Sequence, residues 1–253
     1  MDGGLWLLSD VRLNAFQFAG IYGALSFRPE QYVSMDTRPR KDAHESTQGG
    51  TLPGQIFMHF DGANARERIT AEAPFWLDWF FAHEAAHLFQ QDKVGSLAGD
   101  AKAAWIHEGG ADAMAALALA RRGNEERAYV ESRVRSAEAA CAKGLANAPL
   151  GQATAAGNFD LHYQCGLLIW LALDEDLRAK KSDGLHALNN ALFSLVEVGA
   201  AWDAKTFVLA TQKSGASKPL VHRIETLVYG GYTNPQPDVA ALGRLAMSGI
   251  LRN

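Results

Sequence analysis

The chain has 253 residues and a mass of 27.4 kDa, enough for one large domain, or a domain with a subdomain, around a sizeable core. At 48% hydrophobic and 21% charged residues it is an ordinary globular composition, which excludes a disordered chain. A net charge of −4 and a pI near 6.1 exclude the basic face that a nucleic-acid or anionic-membrane partner needs, and apolar runs such as 167–173 are far too short to span a bilayer.

The chain opens Met-Asp-Gly-Gly without a basic segment or cleavage site, an abrupt start that reads as a domain lacking its leader. Residues 11–24 carry apolar side chains at helical spacing. Residues 31–35 and 55–60 alternate like short strands with β-branched or aromatic members. Between these, the polar stretch 36–54, with Gly49-Gly50-Thr51-Leu52-Pro53-Gly54, predicts a long loop. From Pro74 the pattern is helical. A strongly apolar helix covers 75–91, and Asp100 is placed to cap a second that stops at Gly123. Asn124 and Asn158 are placed to cap a third and a fourth helix, to about 143 and 181, with 144–157 a loop between them. Three or four further helices follow, with breaks near Gly199, Gly215 and Gly230. The fold class expected is α+β, a small N-terminal β-sheet packed on a predominantly helical body. Residues 1–122 would form a subdomain with the sheet, and 123–253 a helical subdomain. Two cysteines, Cys141 and Cys165, fit either two buried thiols or one bridge.

The segment His83-Glu84-Ala85-Ala86-His87 carries chemistry. Histidines at i and i+4 lie one turn apart on one helix face, so both imidazoles can reach a single ion. Glu84 points to the flank of that face, where a carboxylate can take the proton of a water that zinc has acidified. His, Glu and His within a run that includes Phe75, Trp76, Trp79, Phe80, Phe81, Leu88 and Phe89 would be costly unless paired or bound to metal. The next helix carries Trp105-Ile106-His107-Glu108-Gly109-Gly110-Ala111-Asp112, with Glu108 21 residues after His87. Two helices joined by a short loop pack antiparallel, which can bring Glu108 beside the histidines. Two His and one Glu leave the fourth tetrahedral position of zinc open, as in catalytic sites. Asp112, one turn on, can accept the free N–H of a ligating histidine. Gly109 and Gly110 cost about 1 kcal/mol each inside a helix, a local rule broken where a functional site or close packing demands it.

His83-Glu84-x-x-His87 followed by Trp105-x-x-Glu108-Gly109-x-Ala111-Asp112 resembles the gluzincin metallopeptidases, the thermolysin-like and aminopeptidase N-like enzymes, and looks most like the glycyl aminopeptidases. The resemblance implies a zincin-like fold with a C-terminal helical subdomain, Zn²⁺ held by His83, His87 and Glu108, Glu84 as general base and Asp112 behind the ligands. It extends to His162-Tyr163-Gln164-Cys165-Gly166, similar to the family's Tyr-x-Lys-Gly helix, and implies that Tyr163 is catalytic and donates to the oxyanion. His162 is the alternative donor, Gly166 would allow close helix approach, and Asp174 with Arg178 makes a minor i, i+4 pair. The resemblance covers about 75–178, and the rest only in general plan.

Two positions depart from the family. Cys165 stands where the family has lysine. A bridge to Cys141 would staple the 144–157 loop against the tyrosine helix and imply an oxidising, periplasmic or secreted location. The stretch before Gln55 lacks the family's amine-binding glutamate. The strand 55–60 would suit the edge along which gluzincins lay an extended substrate, or a plain core strand. His44, His59, His107, His186 and His222 lack the spacing of a second metal site and read as surface or satisfied core residues. The expectation is a zinc metallopeptidase acting on a peptide or protein substrate. The other readings are a non-catalytic zinc-binding module and a non-peptide hydrolase on the same scaffold.

Overall fold

The computed structural model describes residues 25–38, 45–65, 74–95, 101–230 and 234–252. The helix expected over 11–24, the cap expected at Asp100 and His44 lie outside them. The chain is mixed α+β. Strands β1 (Glu30–Asp36), β2 (Ser46–Leu52) and β3 (Gln55–Asp61) precede eight helices among the described residues. These are α1 (Pro74–Val94), α2 (Ala104–Ala120), α3 (Asn124–Leu145), α4 (Asp160–Ala179), α5 (Leu185–Glu197), α6 (Ala204–Lys213), α7 (Lys218–Tyr229) and α8 (Gln236–Arg252).

The sheet order is β1-β3-β2. β1 runs parallel to β3, with Glu30 beside Gln55 and Asp36 beside Asp61, and β2 runs antiparallel to β3, with Ser46 opposite Asp61 and Leu52 opposite Gln55. One expectation is corrected here and one alternative is decided. Residues 46–52 are a strand and not loop, joined to β3 by a tight turn at Pro53-Gly54. Of the two readings of β3, edge or plain core strand, the structure gives the core strand, flanked by β1 and β2. The alternation read in β3 holds, with Ile56, Met58 and Phe60 buried under the helices.

α1 packs against β2 and β3 on one side and α2 on another. Every residue from 81 to 90 is buried, as expected of a helix apolar on all faces. α2 is buried along almost its whole length and lies between α1 and α4. Its small residues permit this, above all Gly109, which crosses Gly166 of α4. A Cβ on Gly109 would lie 2.3 Å from the Gly166 Cα. Cys141 and Cys165 form the disulfide, tying α3 to α4 across 24 residues of sequence. Closing a loop of that length stabilises a fold by about 3 kcal/mol in the chain-entropy account. The loop it spans contains a short 3₁₀ turn, Leu150–Gln152.

Helices α5 to α8 match the expected breaks. The caps read at Asn124 and Asn158 do not hold. Gly123 and Phe159 occupy the cap positions, with no side-chain cap bond at either. Asp174 does more than pair with Arg178. Fully buried, it accepts from Arg178 Nε at 2.8 Å and from the backbone N–H of Leu185 at 2.9 Å, pinning the start of α5. One continuous core runs from Ile56 on β3 to Ile250 on α8. No described helix is long and apolar enough to cross a membrane.

Candidate metal centre

His83 and His87 occupy successive turns of α1 and face α2, which presents Glu108 from its first turns. Their donor atoms converge. His83 Nε2 lies 3.0 Å from His87 Nε2, and Glu108 Oε2 lies 3.2 Å from the first and 3.3 Å from the second. Among the described residues this is the group of ligand-type side chains arranged to hold a metal ion.

The opposite ring nitrogens fix the tautomers. His83 Nδ1–H donates to Asp112 Oδ1 at 2.8 Å, and that oxygen also takes the Trp79 Nε1–H at 2.8 Å. His87 Nδ1–H donates to Gln90 Oε1 at 2.9 Å, and Gln90 is itself oriented by donating to the His107 carbonyl at 3.1 Å. With both Nδ1 atoms protonated, each Nε2 of a neutral imidazole presents a lone pair that a proton or a metal ion can take. Two lone pairs and a carboxylate oxygen within 3.3 Å of one another repel unless a cation sits among them. Ligands held about 2.05 Å from one tetrahedral ion stand about 3.3 Å apart, so the donor set fits such an ion.

The electrostatics agree. Burial disfavours a charge on His83, yet its bonds to Asp112 and Glu108 and their charges outweigh this and push its pKa up to about 10. Burial also opposes ionisation of Glu108, but bonds to His107, His83 and His87 hold its carboxyl well below the usual range. The pocket therefore demands positive charge at the point where the three donors meet.

Around that point lies a cleft of about 340 Å³, lined by Gly49 and Thr51 of β2, Glu84, His107 and Tyr163, among others. Glu84 is 6% exposed, and burial, partly offset by the nearby histidines, raises its pKa above the usual carboxylate value. Its carboxylate lies against β2, where a Cβ on Gly49 would be 2.4 Å from Glu84 Oε1 and 2.6 Å from the Phe80 ring. Gln91 Nε2 fastens the same strand by donating to Thr51 Oγ1 at 2.8 Å. The Tyr163 ring centroid is 5.8 Å from that of His83. Burial, the Glu108 charge and a hydrogen bond to Glu108 push the Tyr163 hydroxyl above its ordinary range, so it stays protonated and able to donate.

The structure thus brings His83, Glu84, His87, Glu108, Asp112 and Tyr163 together. It does not bring His162, the alternative donor, to the cleft. His162 is wholly buried and bonded to Thr154 Oγ1 at 2.8 Å. His107, read as an ordinary histidine, belongs to the site, with Nε2 3.4 Å from Glu108 Oε1 and its ring packed on His87. Its adjacency to Glu108 was the available signal.

His162 gives a pH prediction. Burial, with the nearby His107, depresses its pKa from 6.5 to about 4, and its Nδ1 is buried without a partner among the described residues. The unfolded chain binds this proton near pH 6.5 and the folded chain only near 4, so the contribution to stability is present above 6.5 and lost as the pH falls towards 4. Thermal melts should show a fall in Tm across that window that is shallower in His162→Gln. Parallel curves would refute it.

No protein-family model, no curated protein and no solved structure matches this chain.

Proposed function

We propose that the protein is a zinc-dependent peptidase with a gluzincin-type site on a zincin-like arrangement of sheet and helices. The observation that carries this reading is the convergence of three metal-accepting atoms from His83, His87 and Glu108, with Glu84 and Tyr163 lining the same cleft. Histidine and carboxylate donors at these separations suit Zn²⁺. A zinc ion held there supplies a Lewis acid that acidifies water and polarises a carbonyl.

The chain's own residues do the rest. Glu84, a carboxylate whose pKa burial raises, takes the proton of the attacking water and returns it to the leaving amine. Tyr163 donates its hydroxyl hydrogen to the oxyanion as the carbonyl becomes tetrahedral. Asp112 and Gln90 hold the two imidazoles in the tautomer that leaves Nε2 free for metal. Among the described residues β2 is an outer strand of the sheet and lies beside Glu84, where an extended peptide can add to the sheet, with Gly49 letting its backbone lie close. Cys165, in place of the family lysine, is taken by the disulfide, which fits folding in an oxidising compartment.

Elemental analysis of untagged protein supplied with zinc tests this reading. About one zinc per chain is expected, lost in Glu108→Ala, together with cleavage of a peptide mixture that a chelator stops and zinc restores. A chain that takes up no zinc, or takes it up and cleaves no peptide, is not this enzyme.

A further inference from the structure

The cleft continues into a second cavity of about 450 Å³ that shares Gly49, His83, Glu84 and Tyr163 with the first. Its added walls include Trp76, Trp79 and Phe80 of α1, Arg133 of α3, and Asp160 and Gln164 of α4. Among the described residues Arg133 makes no ion pair, and it is the only lysine or arginine in this lining. Its guanidinium carbon sits 4.8 Å from the centroid of the Trp79 ring. A guanidinium held through the face of an aromatic ring keeps its in-plane N–H donors free for a second partner.

The other charges lining the cavity are engaged or open to solvent. Asp112 is buried and bonded to His83 and Trp79. Glu84 faces the metal donors in the shared part of the cleft. Asp160 is exposed at the start of α4, where solvent screens it. Trp79 is a fixed platform, since its Nε1–H is held by the same Asp112 oxygen that holds His83. The helix that carries Arg133 is tied to α4 by the disulfide at Cys141, two turns further along α3. A half-buried cation with free donors, in a hollow walled by aromatic rings, is built to receive an anion with an apolar stem.

We propose that this second cavity is a substrate subsite that binds a peptide carboxylate through Arg133. This rests on the peptidase reading of the adjoining site. The carboxylate is either the side chain of an acidic residue or the chain's C-terminal group. Guanidinium and carboxylate pair by two parallel N–H···O bonds in either case, and the cavity would set the cleavage position relative to that group.

Calorimetry on zinc-loaded Glu84→Gln protein, which binds without cleaving, tests the subsite with four acetylated pentapeptides. One pair carries glutamate or glutamine at a central position with an amidated C-terminus. The other carries glutamine throughout with a free or amidated C-terminus. One of the two carboxylate-bearing peptides is expected to bind about ten- to a hundred-fold tighter than its neutral twin. Preference within the first pair assigns an acidic side chain, and within the second the C-terminal group. Arg133→Met, which keeps an apolar stem on Trp79, should abolish the preference, and Arg133→Lys should keep part of it. Equal affinities within both pairs, a preference that survives Arg133→Met, or no binding at all would overturn the subsite. Turnover of an unbiased peptide mixture by wild-type protein judges the peptidase reading separately. Cleavage without carboxylate preference sinks the subsite alone, and absence of cleavage sinks the enzyme while calorimetry still decides the subsite.

Discussion

On the proposed peptidase reading, replacing Glu84 with Gln should leave the zinc content unchanged and lower turnover about a thousand-fold, the middle of the range for a positioned general base. Glu84 is not among the three side chains whose donor atoms converge, so its loss removes no ligand. Glutamine has the same shape, so the packing against Gly49 and Phe80 persists. What disappears is the only function an amide cannot supply, accepting a proton from water. Because burial makes an ionised Glu84 costly, the neutral variant should also melt no lower than the wild type. Zinc content, Tm and kcat on the same preparation check all three. Wild-type turnover in Glu84→Gln would remove Glu84 from the mechanism. Zinc loss in that variant would instead make it a ligand.

What the sequence made legible follows the range over which each feature is determined. The two histidines and Glu84 are fixed by one helix, and 3.6-residue geometry alone puts the imidazoles on one face. Glu108 and Asp112 needed one further step, the return of a neighbouring helix, and the long buried run of α1 made that step safe. Tyr163 came from the resemblance, and its helix does reach the cleft. Strand β2 was missed because Gly49-Gly50 argues against a strand on propensity. Glycine stands at 49 because Glu84 and Phe80 of α1 leave no room for a Cβ, a tertiary reason that no local window contains. Arg133 and Trp79 lie 54 positions apart, and only packing reveals the pair. The cysteines could be read either way until α3 and α4 were seen to bring their Cα atoms to 5.0 Å.

Gly109→Ala tests whether the helix crossing holds the site, and its expected effect is the largest on stability. The added Cβ would stand 2.3 Å from the Gly166 Cα and 2.4 Å from its carbonyl carbon. From the other side, a Cβ on Gly166 would stand 2.7 Å from both the Gly109 Cα and the Trp105 carbonyl oxygen. These obstacles are backbone, so no side chain can rotate away, and α2 and α4 must part by about 1 Å to restore ordinary contact. That places the cost at the top of the overpacking range, about 3 kcal/mol or more. The functional loss follows from the neighbours. Glu108 precedes Gly109 by one residue and Tyr163 lies one turn before Gly166, so parting the helices draws the Glu108 carboxylate from the histidines and the Tyr163 hydroxyl from its place. A displacement of about 1 Å at such groups can cost about a hundred-fold in rate. Gly110→Ala is the control. Its Cβ would meet the Gln90 amide at 3.0 Å and the Trp170 ring at 3.1 Å, contacts with side chains that need give only by a few tenths of an ångström, where Gly109 meets backbone. Denaturant midpoints, zinc content and kcat should therefore all fall sharply in Gly109→Ala and much less in Gly110→Ala. If the two variants behave alike, the crossing is not what sets the distance between Glu108 and the histidines, and the rigidity of the site has to come from the Asp112 and Gln90 bonds alone.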